Sequence, residues 1–148
     1  MNTAVNWNLI REARLFLHLL NEEQKAAFLT LAYRVSLADG EDDLDEVSAL
    51  EDIKAQMHYD GTPEMSEVLG DLPLAVFQTP KARAVAMTEL LMITYADGYL
   101  HDAEAKIIGE IAQAFEFDQT RLNQMAEWAM DGLDLMRSGG KILDVVGS

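Results

Sequence analysis

The feature that most constrains the fold of this chain is a repeat with an offset of 58 residues. Ala38-Asp39-Gly40 recurs as Ala96-Asp97-Gly98, and Glu46 recurs as Glu104. Apolar residues follow the same offset: Leu29 with Met87, Val35 with Ile93, Leu50 with Ile108, Ile53 with Ile111, and Met57 with Phe115. This many matches in one register indicate a duplicated supersecondary unit. The sequence therefore predicts two copies of one unit packed around one core.

Helix signals dominate both copies. Asn21 and Gln24 form a capping-box pair at the start of a helix that should end at Gly40. Thr62–Pro63 and Thr79–Pro80 each combine an N-cap residue with proline at the first helical position. We expect these signals to start a short helix ending near Leu69 and a long helix ending at Asp97–Gly98.

Apolar spacing predicts the remaining helices. They are expected over residues 6–20, where Leu9, Ala13, Phe16 and Leu20 share a face, and near 44–58, 101–116 and 119–137. We therefore predict one compact all-α domain of about seven helices over residues 1–148. Repeat one covers about 21–78 and repeat two about 79–137. A tail over 138–148 begins with a flexible Gly-Gly pair.

The charge of the chain restricts its partners. Twenty-six acids against 11 Lys and Arg give a net charge of −15 at pH 7, which repels nucleic-acid backbones and favours cations and basic proteins. The chain has no cysteine, and it has neither a signal-peptide pattern nor an apolar run of the ~20 residues that a membrane span needs. We expect a cytoplasmic protein without direct membrane insertion.

Two acid-rich segments, here called the acidic corners, follow the Ala-Asp-Gly motifs. The first corner, residues 39–46, holds six carboxylates in eight positions, including Asp39, Glu41, Asp43 and Glu46. The second corner, residues 97–104, contains Asp97, His101, Asp102 and Glu104.

An acid at a helix C-terminus is opposed by the helix dipole. Carboxylates ~5 Å apart also repel each other by roughly 1 to 3 kcal/mol per pair. A hard divalent cation would offset this repulsion, since Ca²⁺, Mg²⁺ and Mn²⁺ prefer oxygen ligands. The alternative is an ordinary helix stop followed by an acidic first turn.

Catalytic patterns are lacking. No nucleophile elbow, phosphate-binding glycine loop or Cys/His cluster occurs in the sequence. Arg34 interrupts an apolar helix and is expected to pair with an acid. A non-enzymatic role is therefore favoured over a metal-dependent hydrolase that uses the acidic corners.

The pattern helix–ADG–acidic turn–helix, present twice, resembles the TerB-like family, which is named for tellurite resistance. ITYADGYLHDAEAKIIGEIAQAF is the stronger match and LAYRVSLADGEDDLDE the weaker, within a resemblance over about residues 20–135. It implies a compact all-helical fold, a bacterial source, a cytoplasmic or inner-membrane-associated setting and a link to stress response.

The resemblance also implies a metal site built from both acidic turns. Its acidic positions fall on Asp39, Glu41, Glu46, Asp97, Asp102 and Glu104, with Asp43 and His101 as further candidates. The chain departs from the family pattern at Tyr99, where an acid is usual, and at Asp42, where an apolar residue is common.

The leading hypothesis is a non-enzymatic domain that binds a divalent cation and a protein partner, the partner being basic or membrane-associated. The alternative hypothesis is an interaction or co-chaperone regulatory domain without a metal.

Overall fold

The computed structural model describes residues 16–38, 44–95 and 101–146, and all regular secondary structure in these ranges is helical, without any strand. The chain enters through a short 3-10 turn at Leu17–Leu19. Six α-helices follow within the described ranges: α1 (Glu22–Leu37), α2 (Leu44–Met57), α3 (Met65–Leu69), α4 (Pro80–Tyr95), α5 (Asp102–Ala114) and α6 (Gln119–Val146). The predicted all-α fold is confirmed.

Two helices begin where their capping residues predict. The Asn21 side chain accepts a hydrogen bond from the Gln24 N–H at 2.9 Å, and the Gln24 side chain accepts one from the Asn21 N–H at 3.0 Å. At the start of α4, Thr79 Oγ1 accepts from the Ala82 N–H at 3.1 Å, directly before Pro80. These bonds satisfy amides that the first turn of a helix leaves without an intrahelical acceptor.

The core is built on α1 and α4. Helix α1 contacts α2, α3, α4 and α5, whereas α4 contacts α1, α5, α6 and the 3-10 turn. Side chains from all of these elements except α3 meet in one apolar cluster, in which Phe28, Phe77, Leu90 and Ile111 are fully buried. Burying a side chain of this kind contributes about 1.5 to 3 kcal/mol, so this cluster holds helices from both halves of the chain together.

The 58-residue offset also relates the helix ends. It carries Glu22–Leu37 onto Pro80–Tyr95, the bounds of α1 and α4, and it carries the first residue of α2 onto that of α5. The offset also relates the two non-glycine residues with positive φ among the described residues, His58 (53°) and Glu116 (64°). Each follows a helix that closes with a matching left-handed cap: the Tyr59 N–H donates to the Lys54 carbonyl at 3.0 Å, and the Phe117 N–H donates to the Ala112 carbonyl at 2.9 Å.

Burial follows the same register. Leu29 and Met87 are both fully buried, as are Ile53 and Ile111, while Leu50 and Ile108 are 4% and 3% exposed. The two units therefore place equivalent apolar residues in one core. A rotation that superposes the two units remains a prediction.

Three predicted boundaries are wrong. Within the predicted helix over 6–20, residues 6–15 lie outside the described residues, and the rest is a 3-10 turn at Leu17–Leu19 followed by an extended Leu20. Helix α3 begins at Met65 rather than at Pro63, because the Glu67 carboxylate accepts the Glu64 N–H at 3.3 Å and caps the helix there. Thr62 instead accepts a hydrogen bond from Lys54 Nζ at 2.9 Å.

The third wrong boundary is the expected end of the last helix at residue 137. Helix α6 continues through Gly139 and Gly140 to Val146 and spans 28 residues. Glycine lowers helix propensity by about 1 kcal/mol, but it keeps the backbone N–H that continues the hydrogen-bond ladder. Gly-Gly therefore weakens this helix without ending it.

Arg34 also differs from its prediction. Its Nη1 donates to the carbonyl oxygens of Val68 at 2.7 Å and Gly70 at 3.0 Å, and among the described residues it pairs with no acid. These carbonyls lie at the C-terminus of α3, where a cation is favoured by the helix dipole. The guanidinium thus ties α3 to α1.

Candidate functional site

Each acidic corner connects two helices that pack against each other. The first corner lies between α1 and α2, and the second between α4 and α5, with contacts within each helix pair. Asp39, Glu41, Asp43 and Asp97 lie outside the described residues. Glu46 lies in the first turn of α2, and only its backbone is described. The structure therefore places the helices that flank both corners.

The described part of the second corner is the start of α5. His101 is the N-cap residue, Asp102 is the first helical residue and is exposed, and Glu104 is buried at 7% exposure. Glu104 Oε1 accepts the His101 N–H at 3.2 Å and lies 3.9 Å from His101 Nε2. The three residues therefore surround the N-terminus of one helix, where the dipole stabilises carboxylates.

Glu104 thus has a structural role at the helix start. Its carboxylate closes a capping box, so its burial and its acidity are explained without a cation. A carboxylate has two oxygens and accepts more than one hydrogen bond or cation contact. Capping and cation ligation are therefore compatible for this residue.

A complete cation site would need residues from outside the described ranges. Among the residues that the structure describes, no three or more His, Asp or Glu side chains are grouped to hold a metal ion. Asp102 and Glu104 can contribute carboxylate oxygens, and His101 can contribute an imidazole nitrogen, which suits transition metals better than Ca²⁺ or Mg²⁺. The predicted ligand set across both corners stays a prediction.

Glu89 is a buried acid that the sequence analysis missed. It lies on α4 with none of its surface exposed, and its Oε1 accepts a hydrogen bond from the Phe16 N–H at 3.4 Å. The offset of 58 places it in register with Leu31, which is also fully buried. A lone acid in the apolar run VAMTELLMITY was the signal that could have identified it. This hydrogen bond joins Phe16 to α4. Leu31, the residue in register on α1, has no carboxylate with which to make the same bond.

The pocket lined by Tyr95, Met130, Leu133, Asp134 and Arg137 lies between α4 and α6. It has a volume of about 60 Å³, which is room for a few water molecules. Substrate and cofactor sites usually enclose about 300 to 1,000 Å³. This pocket therefore does not fit an organic substrate.

None of the helices in the described ranges combines the length and the apolar character that crossing a membrane requires. In comparisons with known proteins, no family model, no curated protein and no solved structure matches this chain.

Proposed function

We propose that this chain is a non-enzymatic, cytoplasmic domain of the TerB-like kind that binds a divalent cation at its acidic corners and engages a protein partner in bacterial stress response. Ca²⁺, Mg²⁺ and Mn²⁺ are the favoured cations because the candidate ligands are carboxylates. The observation that carries the proposal is the register of the two corners. Each follows a helix with bounds related by 58 residues and precedes a helix whose first residue obeys the same offset.

The charge distribution supports this proposal. Six of the 26 acids of the chain, whose net charge is −15, lie between positions 39 and 46. Their mutual repulsion would lower the stability of the folded state, and a bound cation would convert that repulsion into attraction. A cation that binds only the folded state also raises stability by mass action, by about 2.7 kcal/mol at a concentration of 100 Kd.

Thermal unfolding of metal-free protein with and without Ca²⁺, Mg²⁺ or Mn²⁺ tests the proposal. Wild type should melt at a higher temperature with the cation, whereas Asp39→Asn and Asp97→Asn should gain nothing from it. Asp60→Asn removes an exposed acid outside both corners and serves as the matched control. Equal cation-induced shifts in wild type and in all three variants would exclude a site at the corners.

A second candidate is a protein-interaction domain without a metal. It is favoured by the bond between Glu104 and the His101 N–H, which gives one corner acid a role that needs no cation. The acidic surface would then bind a basic partner directly. If this candidate is correct, cations produce no specific stabilisation, and binding to a basic partner weakens steeply as ionic strength rises.

A further inference from the structure

The C-terminal half of α6 extends beyond the core that supports the rest of that helix. Met125, Ala129 and Leu133 are buried in the core cluster, and Leu133 is the last buried residue among the α6 side chains that the structure describes. The helix nevertheless continues to Val146 through Gly139 and Gly140. Glycine is among the poorest helix formers, and short helices without tertiary contacts are marginal in water. A helix of this composition needs a partner along its exposed length.

An apolar stripe follows this exposed length. It consists of Gly132, Leu135, Gly139, Ile142 and Leu143 and is here called the C-terminal stripe. Leu135, Ile142 and Leu143 are 75%, 64% and 65% exposed, and open space surrounds the positions where side chains of Gly132 and Gly139 would begin. The first four positions are spaced by three and four residues, which is the spacing of a coiled-coil seam.

We propose that the C-terminal stripe is a self-association surface, on which α6 pairs antiparallel with the same segment of a second copy of this chain. The residues beside the seam support a pairing of this kind. In heptad register the flanking positions 136, 138 and 145 are Met, Ser and Val, and the fourth flanking position is Leu143 of the stripe itself. No like charges therefore face each other across the seam.

Net charge marks this segment as a part of the chain where two copies can approach. Residues 134–146 contain two acids, Asp134 and Asp144, and two bases, Arg137 and Lys141. They have no net charge, so the whole −15 of the chain resides on the other residues. A basic protein partner would be attracted to those other residues and would gain nothing from a neutral stripe. An identical neutral stripe has no such mismatch.

The antiparallel orientation follows from the same charges. A parallel pair would bring two strongly acidic bodies side by side, whereas an antiparallel pair puts them at opposite ends of the seam. Opposed helix dipoles also favour this orientation. With the twofold axis at Gly139, Leu135 of one copy faces Leu143 of the other. The absence of a side chain at Gly139 allows the two helices to approach closely.

The size of the seam sets the strength expected of the pair. Residues 132–146 give about 15 residues per copy, fewer than the roughly 20 to 30 per side in a stable interface of standard size. The pair should therefore dissociate on dilution.

Single cysteines test the orientation, since the chain has none of its own. In a glutathione redox buffer, Gly139→Cys should form disulfide-linked dimers at least about tenfold faster than Lys141→Cys, which lies on the opposite side of the helix. Leu135→Cys mixed with Leu143→Cys should form the mixed dimer in preference to either self-linked dimer. Equal rates for Gly139→Cys and Lys141→Cys would overturn the proposal.

Sedimentation velocity of the full chain from about 1 μM to about 1 mM tests the association itself. Wild type should shift from 16.5 kDa towards twice that mass. Ile142→Glu should raise the dissociation constant at least about tenfold, whereas Lys141→Gln, with the same change of one charge, should leave it within about twofold. A wild-type chain that stays monomeric throughout would refute self-association. If amide exchange over residues 138–146 is nevertheless slow in that monomer, another part of the chain covers the stripe, and self-association is refuted all the same.

Discussion

Replacing Glu104 separates its two candidate roles, helix cap and cation ligand. Glu104→Gln keeps an oxygen that can accept the His101 N–H, because capping boxes use Glu or Gln at this position. It loses the negative charge, and with it the carboxylate's interaction with the helix dipole, worth about 0.3 to 1 kcal/mol. Glu104→Ala also loses the hydrogen bond to the His101 N–H, which contributes about 0.5 to 1.5 kcal/mol more.

These free energies translate into melting temperatures. For a chain of this size, 1 kcal/mol shifts Tm by roughly 2 to 4 °C. In metal-free buffer, Glu104→Gln should therefore lower Tm by roughly 1 to 4 °C, and Glu104→Ala by roughly 2 to 10 °C. Differential scanning calorimetry measures both shifts. An Ala variant as stable as the Gln variant would show that the capping bond contributes nothing.

The same variants then report on the cation. At 100 Kd a cation adds about 2.7 kcal/mol, which corresponds to roughly 5 to 11 °C in the wild type. If Glu104 is a ligand, Glu104→Gln should lose most of that gain. Glu110→Gln removes an exposed acid from the same helix and should keep it. A full cation-induced gain in Glu104→Gln would leave Glu104 with its capping role alone.

Three further predictions concern the scaffold. Ile53→Ala and Ile111→Ala remove equivalent, fully buried side chains, so each should cost about 2 to 5 kcal/mol in urea unfolding; a large difference between them would argue against equivalent packing. His58→Gly and Glu116→Gly should each raise the free energy of unfolding by about 1 kcal/mol, because both residues have positive φ; destabilisation would refute this reasoning. Arg34→Ala should speed amide exchange in α3 above all, since Arg34 holds the α3 carbonyls; unchanged exchange there would contradict that role.

Local chemistry explains why much of the fold was predictable. The Asn21–Gln24 box and the Thr79–Pro80 pair start helices because their side chains satisfy amides within the next three residues. The 58-residue register was visible because positions 58 residues apart bury apolar side chains in the same core. Signals of this kind depend on neighbours in sequence, so a single sequence contains them.

The failures depend on contacts between distant residues or on competing local signals. Arg34 binds carbonyls more than 30 positions away, and Glu89 accepts an N–H from a residue 73 positions away. At α3, the Thr62–Pro63 signal competed with the Glu64–Glu67 pair, and the second pair caps the helix. For the candidate site, sequence reasoning grouped the corner acids, and the described residues place His101, Asp102 and Glu104 at the start of α5.

Direct titration of the metal-free chain with Ca²⁺, Mg²⁺ and Mn²⁺ by isothermal calorimetry tests the central claim most directly. We expect saturable binding of at least one of these ions. A site shared by the two corners would give a stoichiometry of one ion per chain, and a site at each corner would give two. Asp39→Asn and Asp97→Asn should abolish or strongly weaken that binding, whereas Asp60→Asn should bind like the wild type. Heats of dilution alone for all three ions, on folded protein, would contradict the cation-binding account.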